Sequence, residues 1–118
     1  MEILYTDQHI TVWVKSAGAL STDAPGGVPE LARAALGEPG ADVRTVHRLD
    51  RVVGGVMLLA RGAETASLLG KQVMEGRFAK EYLAVVHGVP EAAEGTFSDL
   101  LRRDKRECKT YVASAPGR

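Results

Sequence analysis

Apolar and polar positions fall into short runs whose spacing changes along the chain, and the changes predict the elements. Ile3-Leu4-Tyr5 is a brief apolar run and Asp7-Gln8-His9 a turn. Ile10 to Val14 is β-branched and aromatic, so the chain opens with two strands. Gly18 to Gly27 is punctuated by small residues and by Pro25-Gly26-Gly27, which makes it a loop. Pro29 suits the first turn of a helix that runs through Leu31, Ala32, Ala35 and Leu36 and closes at Gly37. After a second loop at Pro39-Gly40, Val43 to Val46 reads as a strand. Gly54-Gly55 breaks the chain, and Val56-Met57-Leu58-Leu59-Ala60 is continuously apolar, the pattern of a central strand buried on both faces. Ala66, Leu69 and Val73 share one face of a helix from Ala63 to Glu75, with Gly76 as its stop. Glu81 to Val86 is strand-like and ends at Gly88-Val89-Pro90. A last strand is expected from Lys109 to Ala113. Together these predict an α+β fold, a mixed and mainly antiparallel sheet with two helices packed on it.

Composition narrows the class without changing that picture. The chain has 118 residues, 45% of them apolar and 25% charged, the balance of one ordinary soluble domain. No run approaches the roughly 18 continuous apolar residues that a bilayer demands, so no membrane partner is expected. The amino-terminal residues lack a basic region followed by an apolar run, and the lone Cys108 cannot form an internal disulfide; both favour the cytoplasm. Fifteen basic and fifteen acidic side chains cancel, which excludes nucleic-acid binding by bulk charge. Charge is local instead. Between Arg102 and Lys109 five basic residues face two acidic ones, and this segment is either a solvated hairpin or a phosphate-contacting loop.

Asp50 is the candidate for chemistry. It lies between Arg48 and Arg51, and two cations within about 4–6 Å would keep a carboxylate ionised. Gly54 and Gly55 follow, where a substrate or another backbone can come close. A carboxylate at a strand-to-loop junction beside glycines and a histidine suits a nucleophile or a general base. The plainer alternative is a surface ion pair in a turn.

The residues His47-Arg48-Leu49-Asp50-Arg51, followed by Gly55-Val56-Met57-Leu58-Leu59-Ala60, resemble the central motif of the RluA-type RNA pseudouridine synthases. Other segments resemble that family in the same order. Ile3 to Val14 resembles its opening strand pair, and Lys15-Ser16-Ala17-Gly18 its Lys-Pro-x-Gly. Lys80-Glu81-Tyr82-Leu83-Ala84 resembles its Lys-x-Tyr-x-Ala. His47 points to the RluA-type group rather than the related RsuA-type enzymes, which usually carry glycine there. The resemblance implies the first half of the pseudouridine synthase catalytic fold and the isomerisation of uridine to pseudouridine in ribosomal or transfer RNA. It implies no metal and no redox cofactor, because nothing is added or lost overall. Asp50 takes the place of the catalytic aspartate, acting as nucleophile at C1′ or as a base that leads through a glycal. Tyr82 takes the place of the tyrosine lining the uridine pocket; its alternative is a core tyrosine on a strand. Arg48 would fill the space of a flipped uridine or contact phosphate, or else pair with Asp50. His47 would hold the flipped nucleotide or be a hydrogen-bonded structural residue. Arg51, Lys80, Arg102, Arg103 and Lys105 are the remaining candidates for RNA contact.

The pattern departs from the family in two places. Where the family commonly reads x-x-Thr-Ser-Gly after the aspartate, this chain reads Arg51-Val52-Val53-Gly54-Gly55 and loses both hydroxyls. The later family segment resembling Gly-Arg-Thr-His-Gln-Ile-Arg, whose arginine pairs with the aspartate, does not occur. Residues 1–118 are therefore expected to be an amino-terminal portion of the catalytic domain, ending within a turn at Ser114-Ala115-Pro116-Gly117-Arg118. A second chain or a missing carboxy-terminal segment would complete it. The alternative function is a catalytically incomplete fragment that binds RNA or pairs with another chain.

Overall fold

The computed structural model describes residues 2–113, which divide after Glu81 into two units. The first unit holds a four-stranded antiparallel sheet of β1 (Glu2–Thr6), β2 (Ile10–Lys15), β3 (Val43–Thr45) and β4 (Gly55–Arg61), with strand order β1-β2-β4-β3. Helix α1 (Val28–Leu36) precedes β3, and α2 (Ala63–Met74) follows β4. The sheet and both helices match the sequence expectation of an α+β fold.

Alternation builds the core. Along β2 the buried residues are Thr11, Trp13 and Lys15, every second position, and Trp13 pairs with Met57 across the ladder. Trp13, Met57 and Leu59 meet Val28 and Ala32 of α1, Val43 of β3 and Leu49 from the following loop. Fully burying a side chain of this size is worth about 1.5–3 kcal/mol, so this cluster is the chief source of cohesion. Helix α1 enters through Pro29 and ends at Gly37, whose left-handed backbone (φ 70°) lets Gly37 and Glu38 amides reach the Ala34 and Arg33 carbonyls. Helix α2 packs along β4 and β3 but contributes no fully buried residue.

The apolar run in β4 does mark an inner strand, flanked by β2 and β3. Burial on both faces is incomplete, however. Met57, Leu59 and Ala60 are sealed, whereas Val56, on the face opposite Met57 and Leu59, is 57% exposed.

The second unit has β5 (Leu101–Asp104) and β6 (Lys109–Val112), an antiparallel hairpin pairing Arg102 with Tyr111 and Arg103 with Thr110. Asp104 Oδ1 accepts the amides of Arg106 and Glu107 and so organises its turn. The expected strand at Glu81–Val86 is not formed; residues 81–100 carry no regular structure. A strand needs a ladder partner, and none of the described strands pairs with this run, so Leu83 and Val85 stay fully exposed. The turn expected at residues 114–118 lies outside the described residues.

Candidate active site

The segment that carries Asp50 leaves the end of β3, and its first distinctive side chain extends the sheet. Just beyond the last β3–β4 pair, Thr45 with Leu59, the Leu58 amide donates to His47 Nε2 at 2.9 Å. An accepting Nε2 places the ring proton on Nδ1, which is buried without a hydrogen-bond partner among the described residues. Burial, and secondarily the charge of Lys80, hold the His47 pKa below its ordinary value. Its ring lies 4.9 Å from that of Phe78, and the Lys80 ammonium lies 5.8 Å from the other ring's centre.

Leu49 is buried and held at both ends of its backbone. Ser21 Oγ accepts the Leu49 amide at 3.0 Å and donates to the Leu49 carbonyl at 2.6 Å. On the far side of Asp50, the Arg51 carbonyl accepts the Gly18 amide at 2.6 Å and Lys15 Nζ at 3.1 Å. Lys15 Nζ also donates to the Ser16 carbonyl at 3.0 Å and the Val53 carbonyl at 2.5 Å. Lys15 is buried, which lowers its pKa, and the charge of nearby Asp50 opposes that shift by favouring the ammonium. Gly54 has its backbone against this strand end: a Cβ there would lie 3.3 Å from both the Ala17 nitrogen and the Lys15 oxygen. The Val53 amide closes a turn on the Asp50 carbonyl at 2.9 Å.

The result is a carboxylate displayed on a fixed backbone. Asp50 is exposed, and no ion pair joins it to Arg48 or Arg51 among the described residues. Arg51 instead turns its Nε toward the Gly18 carbonyl at 3.2 Å, while Arg48 is exposed. His47, Arg48, Asp50, Arg51 and Lys80 belong to the first unit. Tyr82, Arg102, Arg103 and Lys105 belong to the second, all exposed.

Sequence reasoning passed over three residues that shape this site. Lys15 was legible: it falls on the buried register of β2 with Thr11 and Trp13, where a lysine needs partners. Ser21 and Phe78 lie outside regular elements and gave no periodic signal.

An open concavity of about 830 Å³ lies at the other end of β4, lined by residues that include Asp7, Glu38, Asp42 and Arg61. Its charges are already spent. Arg61 bonds Glu38 and the Asp7 carbonyl, Asp42 pairs with Arg44, and the Asp7 carboxylate accepts two backbone amides and the Tyr5 hydroxyl. The exposed Asp50 is the better candidate.

The family profile described as RNA pseudouridylate synthase matches residues 9–117. This chain belongs to the RNA pseudouridylate synthase family. The dual-specificity RNA pseudouridine synthase RluA of Vibrio cholerae is 38% identical over 98 residues, covering 80% of this chain and 39% of that protein. The tRNA pseudouridine synthase C of Yersinia pestis is 36% identical over 94 residues, covering 75% of this chain and 35% of its own length. Among solved structures, human RNA pseudouridylate synthase domain containing 4 superposes with a TM-score of 0.53 at 25% identity, over 64% of this chain and 30% of the human one. This pseudouridylate synthase chain thus spans a little over a third of these curated relatives. Among its described residues no helix is long and apolar enough to cross a membrane, and no group of His, Cys, Asp and Glu is disposed to hold a metal.

Proposed function

We propose that this chain carries the reacting carboxylate of an RNA pseudouridine synthase that isomerises uridine in ribosomal or transfer RNA. One observation supports this above the rest: the backbone around Asp50 is pinned by Ser21, Gly18 and Lys15, yet its carboxylate is exposed and forms no ion pair among the described residues. A structural carboxylate would be spent on a partner; a reacting one is kept available on a rigid support.

The reaction breaks the N1–C1′ bond, turns the uracil and joins C5 to C1′. The proton leaving C5 is balanced by one gained at N1. Asp50 would attack C1′ as nucleophile or remove a ribose proton as base. Tyr82 would pack on the base, and Arg48 would occupy the space of the flipped nucleotide. Lys80, with Arg102, Arg103 and Lys105 of the hairpin, would meet phosphates. His47 has its Nε2 committed to the Leu58 amide and its Nδ1 buried, so its contribution would be to hold the loop rather than to donate to RNA. Such an enzyme would work in the cytoplasm.

The test is tritium release from RNA labelled at C5 of uridine. Release that Asp50→Asn abolishes supports the proposal; release unaffected by that change removes Asp50 from the chemistry.

A second reading has its own support. Leu83 and Val85 are wholly exposed, on a run that would suit a strand, and the chain spans a little over a third of its relatives. This run would then pair with a further segment or a second chain that completes the fold. A stable dimer by sedimentation, with no tritium release, would favour this reading.

A further inference from the structure

Asp50 needs more than exposure to react; its carboxylate must be held at one place. We propose that Ser21 is the positioning residue for Asp50, acting through the backbone of Leu49. This rests on the reading of Asp50 as the reacting group.

The geometry is a two-point bridge. One hydroxyl accepts the Leu49 amide at 3.0 Å and donates to the Leu49 carbonyl at 2.6 Å. The amide belongs to the peptide plane that precedes Leu49, and the carbonyl to the plane that follows. Fixing both planes fixes the two soft torsions of Leu49. The second plane also contains the nitrogen and Cα of Asp50, so the bridge sets the position from which that side chain departs.

Ser21 is itself held. The Val28 amide, at the start of α1, donates at 2.8 Å to the Leu20 carbonyl, which lies in the peptide plane entering Ser21. The loop between them is closed so tightly that a Cβ on Gly27 would lie 1.9 Å from the Thr22 carbonyl oxygen. Ser21 is buried, and its hydroxyl also lies 3.7 Å from the Met57 sulfur. The Ser21 hydroxyl thereby couples the α1 entry loop to the Leu49 side of the Asp50 loop, as Gly18 does on the Arg51 side. Threonine would add a methyl group at this buried position, and alanine would leave both Leu49 groups without a partner.

Amide hydrogen exchange on the full chain separates positioning from general support. In Ser21→Ala the amides of Leu49, Val53 and Gly18, which donate to Ser21 and to the Asp50 and Arg51 carbonyls, should exchange about tenfold faster or more, with those of Trp13, Met57 and Leu59 little changed. Ser21→Cys keeps the volume with a weak donor and acceptor, and should fall between. Where the chain releases tritium from C5-labelled RNA, Ser21→Ala should lower kcat with little change in KM. Unchanged exchange at Leu49, Val53 and Gly18 would overturn the proposal. So would uniform acceleration of the core amides in both variants, because Ser21 would then merely support the fold. If Ser21→Ala does not fold, Ser21→Cys is read by the same criteria. If the unsubstituted chain releases no tritium, that result counts against the function proposed for Asp50, and the exchange data alone decide the role of Ser21.

Discussion

The imidazole of His47 accepts the backbone amide of Leu58, so a side chain continues the sheet where β3 has already ended. The bond requires an unprotonated Nε2. Its folded pKa lies below the ordinary 6.5, for burial first and the Lys80 charge second. Above about 6.5 both folded and unfolded chains hold this ring neutral, and the full contribution to stability is present. Below it the unfolded chain takes up a proton that the folded chain refuses, so stability falls until the pH passes the lower, folded value. Urea midpoints should therefore drop on acidification below about pH 6.5. His47→Gln, which keeps an acceptor that does not titrate, should flatten that part of the profile. An identical slope in the variant would dissociate the bond from the pH response.

Lys15 gathers the carbonyls of Ser16, Arg51 and Val53 beneath the Asp50 loop. Replacing it with methionine keeps the stem but strips these acceptors of a charged donor; the Arg51 carbonyl retains the Gly18 amide and the Ser16 carbonyl the Ala19 amide, whereas the Val53 carbonyl is left without a donor among the described residues. Lys15→Met should cost about 1–3 kcal/mol in denaturant unfolding. A neutral or stabilising result would mean that the desolvation of the ammonium outweighs its three bonds.

Much of this arrangement is legible in the sequence, and the remainder has a physical reason for being hidden. The order of the strands and the two helices follows from apolar spacing, because Trp13, Met57, Leu59 and Ala32 are buried within the runs that the spacing marks. Asp50 stands out by its neighbours. What holds Asp50 is harder to read: the buried register of β2 marks Lys15 as needing partners, but the bonds of Ser21 to Leu49 and of Lys15 to Arg51 cross 28 and 36 positions of sequence, and local patterning records nothing of such pairings. The run from Glu81 to Val86 has the composition of a strand but remains unpaired, because a strand is a property of two segments. The basic segment resolves into the β5–β6 hairpin and its turn, which its charge alone left open.

Asp50→Asn separates reactivity from stability. The carboxylate is exposed and in no ion pair among the described residues, so its loss should shift the unfolding free energy by no more than about 0.5 kcal/mol. Tritium release from C5-labelled RNA should vanish in the same variant. A large destabilisation, measured by urea titration, would recast Asp50 as a structural residue.

The hairpin offers the clearest test of RNA contact apart from chemistry. Arg102, Arg103 and Lys105 are exposed on and beside β5, in a chain whose net charge is zero, so bulk attraction cannot imitate what they do. Each phosphate contact to a single strand contributes about 0.7 to the slope of log affinity against log salt. Changing all three residues to glutamine should thus reduce that slope by about 2 for a short single-stranded RNA. Fluorescence anisotropy across a salt series measures it directly. A weaker affinity with an unchanged slope would place the phosphates elsewhere on the molecule, with the exposed Arg48 the next residue to change.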